Sequence, residues 1–134
     1  MTAAFHGSCH CAAVRFRCEL EVQQPTSRCN CSICRKSRFW KTLVAGDRFT
    51  LLQGRQALAE YRFGSRRIAH MFCRHCGVKV YGHSGAEAFG QEFYAVNLAC
   101  LDDVRDEDLA ALPLAYEDGR HDDWASAPAV TCIL

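Results

Sequence analysis

Seven of the ten cysteines in this chain fall into three tight groups: Cys9 with Cys11, then Cys29, Cys31 and Cys34, then Cys73 with Cys76. Cysteines one or two residues apart are poorly placed to cross-link a fold as disulfides, but well placed to hold one ion from two sides. The grouping predicts a chain whose loops are held by metal, in preference to a disulfide scaffold. The start, MTAAFHGSCHC, has neither the basic residues nor the apolar run of a secretory signal, which favours the cytoplasm, where thiols stay reduced.

The remaining composition is ordinary. With 134 residues, 49% of them hydrophobic and 23% charged, the chain is expected to form one globular domain spanning 1–134 around one modest core. No stretch approaches the roughly 18 apolar residues of a membrane span. A formal charge of +1 lacks the basic excess of a nucleic-acid binder. Neither a membrane nor a nucleic acid is an expected partner, and the oligomeric state is left open.

Hydrophobic periodicity predicts a mainly β fold. In AAVRFRCELEV, residues Val14, Phe16, Cys18, Leu20 and Val22 share one face and Arg15, Arg17, Glu19 and Glu21 the other, the alternation of a half-buried strand closed by Pro25. Further strands are predicted at 39–45, 48–54, 58–64, 67–73, 78–82 and 92–101, punctuated by Gly46, Gly54, Gly64 and the segment from Gly82 to Gly85. At most one short helix is expected, in DVRDEDLAAL, capped by Asp102 or Asp103 and ended by Pro113. Trp124 in the tail is expected to pack on the sheet, and Tyr61, Phe63, Tyr81, Phe93 and Tyr94 are expected to be packing residues.

FCRHCG at 72–77 reads as a zinc knuckle, with Gly77 free to adopt the positive φ its turn requires. It supplies two ligands, and CHC at 9–11 can supply the other two, because residues i and i+2 of an extended segment point to one side. Cys9, Cys11, Cys73 and Cys76 are therefore expected to form a closed structural zinc site. A thioredoxin-like dithiol at 73–76 would need a helix start in an α/β fold, which this chain lacks. His10 and His75 are read as bystanders.

Cys29, Cys31 and Cys34 can wrap an ion from three sides, and three protein ligands with an open position is the signature of a catalytic zinc. Arg28, Arg35 and Lys36, with Arg38, form a cationic rim that would favour thiolate and attract an anionic ligand. A fourth ligand from Cys18, Cys100 or Cys132 would instead close the site; the open position is the expectation. Arg35, Lys36, His70, His83 or water could serve proton transfer, and the sequence selects none of them.

GSCHCAAVRF, CNCSICRKS and FCRHCG, in that order, resemble the glutathione-dependent formaldehyde-activating enzyme and centromere protein V family, and NLACLDD and YEDGRHDDW look like its shorter members. The resemblance implies a β-tent of antiparallel sheets stapled by a four-cysteine zinc. It also implies a second, catalytic zinc at Cys29, Cys31 and Cys34. The implied activity is that of a carbon–sulfur lyase, an S-(hydroxymethyl)glutathione synthase adding glutathione to formaldehyde, with a small thiol and a small aldehyde as partners. The alternatives are a non-catalytic zinc-stabilised binding module and a thiol/zinc redox protein. The chain departs from the family pattern at Ala12, where glycine is usual, and in its short length, so glutathione-contacting insertions could be missing.

Overall fold

The computed structural model describes residues 1–134 as ten strands in two sheets. The first sheet has three strands in the order β1 (Thr2–Ser8), β2 (Arg15–Glu21) and β5 (Phe49–Gln53), antiparallel throughout. The second has seven: β10 (Leu114–Glu117), β3 (Thr26–Cys29), β4 (Trp40–Ala45), β9 (Phe93–Asn97), β8 (Lys79–Ser84), β7 (Ala69–Cys73) and β6 (Leu58–Tyr61), in that spatial order. Every pairing in it is antiparallel except β10 with β3, which is parallel. No helix is long and apolar enough to cross a membrane.

The alternation predicted for β2 is the spine of the core. Val14, Phe16, Cys18 and Leu20 are buried against Phe49, Val44, Val80, Val96 and Leu98 from β5 and the larger sheet. Phe49 stacks on Phe16 at 5.3 Å and on Tyr94 at 4.2 Å, joining the two sheets through aromatic faces. Cys18 and Cys100 are members of this core, behaving as small hydrophobes.

The mainly β architecture agrees with the sequence expectation; several details differ. There are three short α-helices rather than one: α1 (Ser32–Ser37), α2 (Ala86–Phe89) and α3 (Asp106–Ala110). The expected helix is present as α3, but it starts after Arg105 rather than at Asp102 or Asp103. Those two carboxylates are engaged with the first strand instead, Asp102 accepting from Ser8 Oγ at 2.6 Å and Asp103 from the His6 amide at 2.8 Å. Val22 lies past the end of β2 and is exposed, and Gly82 sits inside β8 rather than in a turn.

Trp124 is 54% exposed and donates to Asp122, so it caps a tail turn and does not pack on a sheet. Tyr61 and Phe63 also fail the packing expectation. Both are exposed and stack on each other at 5.8 Å, because β6 is the free edge of the large sheet.

Candidate metal centre and the adjoining cysteine triplet

The turn after β1 and the turn between β7 and β8 bring Cys9, Cys11, Cys73 and Cys76 together, with all four sulfurs within 4.8 Å of one another. Cys11 Sγ lies 3.7 Å from Cys9 Sγ and 3.7 Å from Cys73 Sγ. Four sulfurs around one zinc at about 2.3 Å would stand about 3.8 Å apart at the corners of a tetrahedron, so this donor set fits the ion. None of the ten cysteines is in a disulfide.

Backbone amides are aimed at the sulfurs, as a knuckle requires. Val14 N–H donates to Cys9 Sγ at 3.3 Å and His75 N–H to Cys73 Sγ at 3.4 Å. Gly77 holds φ at 78°, the left-handed conformation expected of it, and its N–H closes the turn onto the Cys73 carbonyl. The Val78 amide and the neighbouring thiols lower Cys76 to about 6, so one thiolate is available to begin metal capture. The Ala13 amide pulls Cys11 down, but burial and the Cys73, Cys9 and Cys76 sulfurs outweigh it and leave it at about 11. His10 and His75 are exposed and outside the tetrad.

The second group forms at the other end of the large sheet. Cys29 ends β3, Cys31 is the N-cap of α1 and Cys34 lies one turn in, facing inward. The short turn of α1, a helix not expected from the sequence, carries Cys34 back toward Cys29. Cys29 and Cys34 are buried with Phe39 and Ala95, and Cys31 and Ile33 pack against them. The three thiols influence one another's protonation: the Cys29 and Cys34 sulfurs draw Cys31 toward thiolate, while the Cys29 and Cys31 sulfurs push Cys34 up. Cys31 N–H donates to Cys29 Sγ at 3.3 Å.

Only the first group draws its ligand atoms together tightly enough to hold a metal as it stands; Cys29, Cys31 and Cys34 are neighbours but do not converge in that way. Cys18 and Cys100 are in the main core, and Cys132 is exposed in the tail.

The tail buttresses the triplet. Asn30, between two of its cysteines, donates from Nδ2 to Asp118 at 2.8 Å and accepts from the Arg120 amide at 3.0 Å. Its own N–H donates to the Glu117 carbonyl. Lys41 ties β4 to the same corner through Glu117 at 2.7 Å and Ser27 at 2.8 Å.

The cations singled out in the sequence take up other positions. Arg28 lies over the Trp40 ring at 5.4 Å and donates to the Arg38 carbonyl. Arg35 and Lys36 are exposed in the last turn of α1, where they complement the helix dipole. Lys79, on β8, is the half-buried cation on this side: burial pulls its amine below the usual lysine range, and the Cys34 and Cys31 charges oppose that shift. Its Nζ is 3.9 Å from the centre of the Phe39 ring and donates to His70 Nδ1 at 2.9 Å.

His70 is buried and held down to about 4, by burial first and by the Lys79 charge second. It is therefore neutral near pH 7, with Nδ1 free to accept. Lys79 is a charged residue at the start of β8, flanked in sequence by the apolar Val78 and Val80.

Lys79 and His70 line an open groove of about 380 Å³, together with Ile33 and Ser37 of α1 and Tyr61 of β6. Ile33 belongs to both the groove and the triplet's apolar packing, so the two adjoin. His83 lies elsewhere, paired with Glu92 at 2.8 Å.

Comparison with known proteins agrees with this picture. The family model described as glutathione-dependent formaldehyde-activating enzyme matches residues 4–115. A putative glutathione-dependent formaldehyde-activating enzyme from Halomonas elongata is 61% identical over 31 residues, which is 23% of this chain and 20% of that relative. A crystal structure of a Rhodobacter sphaeroides protein superposes with a TM-score of 0.69 at 32% identity, over 82% of this chain and 99% of that one.

Proposed function

The chain belongs to the glutathione-dependent formaldehyde-activating enzyme family, and from that premise we propose that it is a zinc-dependent carbon–sulfur lyase-like enzyme joining a small thiol, such as glutathione, to formaldehyde or a related aldehyde. Cys9, Cys11, Cys73 and Cys76 would hold a structural zinc. Cys29, Cys31 and Cys34 would hold a second. A zinc ion at the triplet would supply Lewis acidity toward a thiol sulfur.

The observation that carries this reading is the groove beside the incomplete triplet. Catalytic zinc sites keep a position for substrate, and here three cysteines adjoin a recess wide enough for small reactants. Cys29 and Cys34 are shielded from water by Phe39 and Ala95, which strengthens electrostatic interactions at the site. Ile33 and Tyr61 give the groove apolar walls, and Ser37 and His70 give it polar points of attachment. Fixing a thiol and an aldehyde together there would supply the orientation that a reaction between two small, freely tumbling molecules lacks. Arg28, Arg35 and Lys36 would act at longer range, drawing anionic thiols toward this end of the molecule.

The test is exchange spectroscopy by NMR on ¹³C-formaldehyde and glutathione, with and without the zinc-loaded protein. Faster interconversion of free formaldehyde and its S-hydroxymethyl adduct, abolished by Cys31→Ser, is the expected result. Unchanged exchange across several thiols would instead favour a zinc-stabilised binding module.

A further inference from the structure

Lys79 is a half-buried cation near the triplet. Its ammonium group has three donor directions, and His70 Nδ1 takes one of them at 2.9 Å. It forms no ion pair with a carboxylate, unlike Lys41, whose ammonium is held by Glu117. The Phe39 ring lies beneath it at 3.9 Å, and Phe39 in turn packs on Cys29 and Cys34. The ammonium is thus positioned by an aromatic face and a neutral imidazole, neither of which cancels its charge. A lysine drawn partly out of water is more often matched to an anion. The groove it lines, which also includes Ile33 and the Arg62-paired Glu60 carboxylate, is open to solvent.

We propose that Lys79 is a substrate-contacting residue of this groove, whose ammonium group binds the carbonyl oxygen that becomes negatively charged as a thiol adds to an aldehyde, with His70 as the residue that positions it. This deepens the proposed function and rests on it. In the addition, the sulfur lone pair forms the carbon–sulfur bond and the carbonyl π pair moves onto oxygen. The thiol proton leaves to water, and the oxygen takes a proton from water. The negative oxygen exists only between those events, so a fixed cation beside it stabilises the transition state more than either reactant. Burial disfavours the charged amine while the Cys34 and Cys31 sulfurs favour it.

The experiment compares two small thiols of similar size by calorimetry on the zinc-loaded protein: mercaptoacetate, which carries an anionic oxygen near its sulfur, and 2-mercaptoethanol, which carries a neutral one. The wild-type protein is expected to prefer mercaptoacetate by about tenfold or more, as a charge-assisted hydrogen bond in a shielded site allows. Lys79→Met should bring the two thiols to within about twofold, and Lys79→Arg, which keeps the charge, should retain most of the preference. Native mass spectrometry of each variant confirms that both metals are still bound, and Lys79→Gln takes the place of Lys79→Met if the latter does not fold. In turnover, loss of the charge should lower kcat/KM by about 10²- to 10³-fold. Thiols that bind without charge preference, or a preference that survives Lys79→Met, would overturn the role of Lys79 and leave the proposed function standing. Failure of both thiols to bind would overturn the two together.

Discussion

A side chain at Gly119 would place its Cβ 2.6 Å from Cys29 Sγ, so the tail turn is laid directly against the first sulfur of the triplet. The same Cβ would meet the Trp124 ring at 2.6 Å, so the turn or the Trp124 side chain must shift to admit it. Asn30 then fastens this turn through Asp118 and the Arg120 amide. The tail beyond residue 115 lies outside the family match, yet it supports the part of the site that the match makes most interesting.

Gly119→Ala should therefore weaken metal binding at the proposed Cys29, Cys31 and Cys34 site and spare the tetrad. Displacing groups that support a ligand typically costs about 10- to 100-fold in metal affinity. Chelator competition on the variant should release one of two zinc equivalents at a correspondingly lower chelator concentration, with the circular dichroism spectrum unchanged. Two equivalents released as in the wild type would show that the contact does not matter.

The two cysteine groups should respond differently to the loss of a single ligand. Cys73 is fully buried and clamps β7 to the turn after β1, joining the two ends of the chain's core. Cys73→Ser should lose the structural metal and with it the cooperative thermal transition, because binding free energy at such sites is folding free energy. Cys34→Ser, in a six-residue helix beside the groove, should lose one equivalent of metal and keep a sharp transition. Melting curves paired with metal counts separate the two; equal destabilisation would mean that both sites are structural.

Much of this was readable from the chain because it rests on local rules. The period-2 run through Phe16, Cys18 and Leu20 made β2 unmistakable, and the paired spacing of Cys9–Cys11 and Cys73–Cys76 identified the tetrad without knowledge of the fold. What was missed is non-local. Strands β3 and β10 are four residues each and have no alternation of their own; they exist because Thr26–Cys29 and Leu114–Glu117 pair across the sheet. Helix α1 is too short for a periodic signal, and of the basic residues read as a rim, Arg35 and Lys36 lie in its exposed last turn while Arg28 lies on β3. Lys79 and His70 are nine residues apart and meet only because β7 and β8 are antiparallel neighbours. No spacing rule could have joined them to Cys31.

Ala12 offers a stabilising substitution. It has φ 65°, a left-handed conformation that an L-residue with a Cβ adopts at a cost of about 1–2 kcal/mol. The turn needs that conformation, since Ala12 N–H bonds the Cys9 carbonyl and Val14 N–H reaches Cys9 Sγ. Ala12→Gly removes the steric cost but adds about 0.5–1 kcal/mol of backbone entropy to be lost on folding. A net gain of about 0.5–1 kcal/mol is expected, seen as a rise of a few degrees in melting temperature at unchanged metal content. A lower melting temperature would mean that the Ala12 methyl makes packing contacts that outweigh its backbone strain.

His70 should report directly on Lys79. In the folded chain it titrates near about 4, with burial as the larger cause and the Lys79 charge as the second. An unfolded histidine titrates near about 6.5. Between those values the unfolded chain binds more protons than the folded one, so stability rises with pH across the window. The contribution is complete above about 6.5 and is lost as pH falls toward about 4. Imidazole resonances followed by NMR should give the low value directly, and His70→Gln should remove this part of the acid sensitivity. In Lys79→Met the repulsion is gone but the burial remains, so the His70 value should rise and still stay below the unfolded one. A His70 that titrates like a free imidazole in the wild-type protein would mean that the ring is not held against the ammonium group, and the groove would lose the geometry assigned to it.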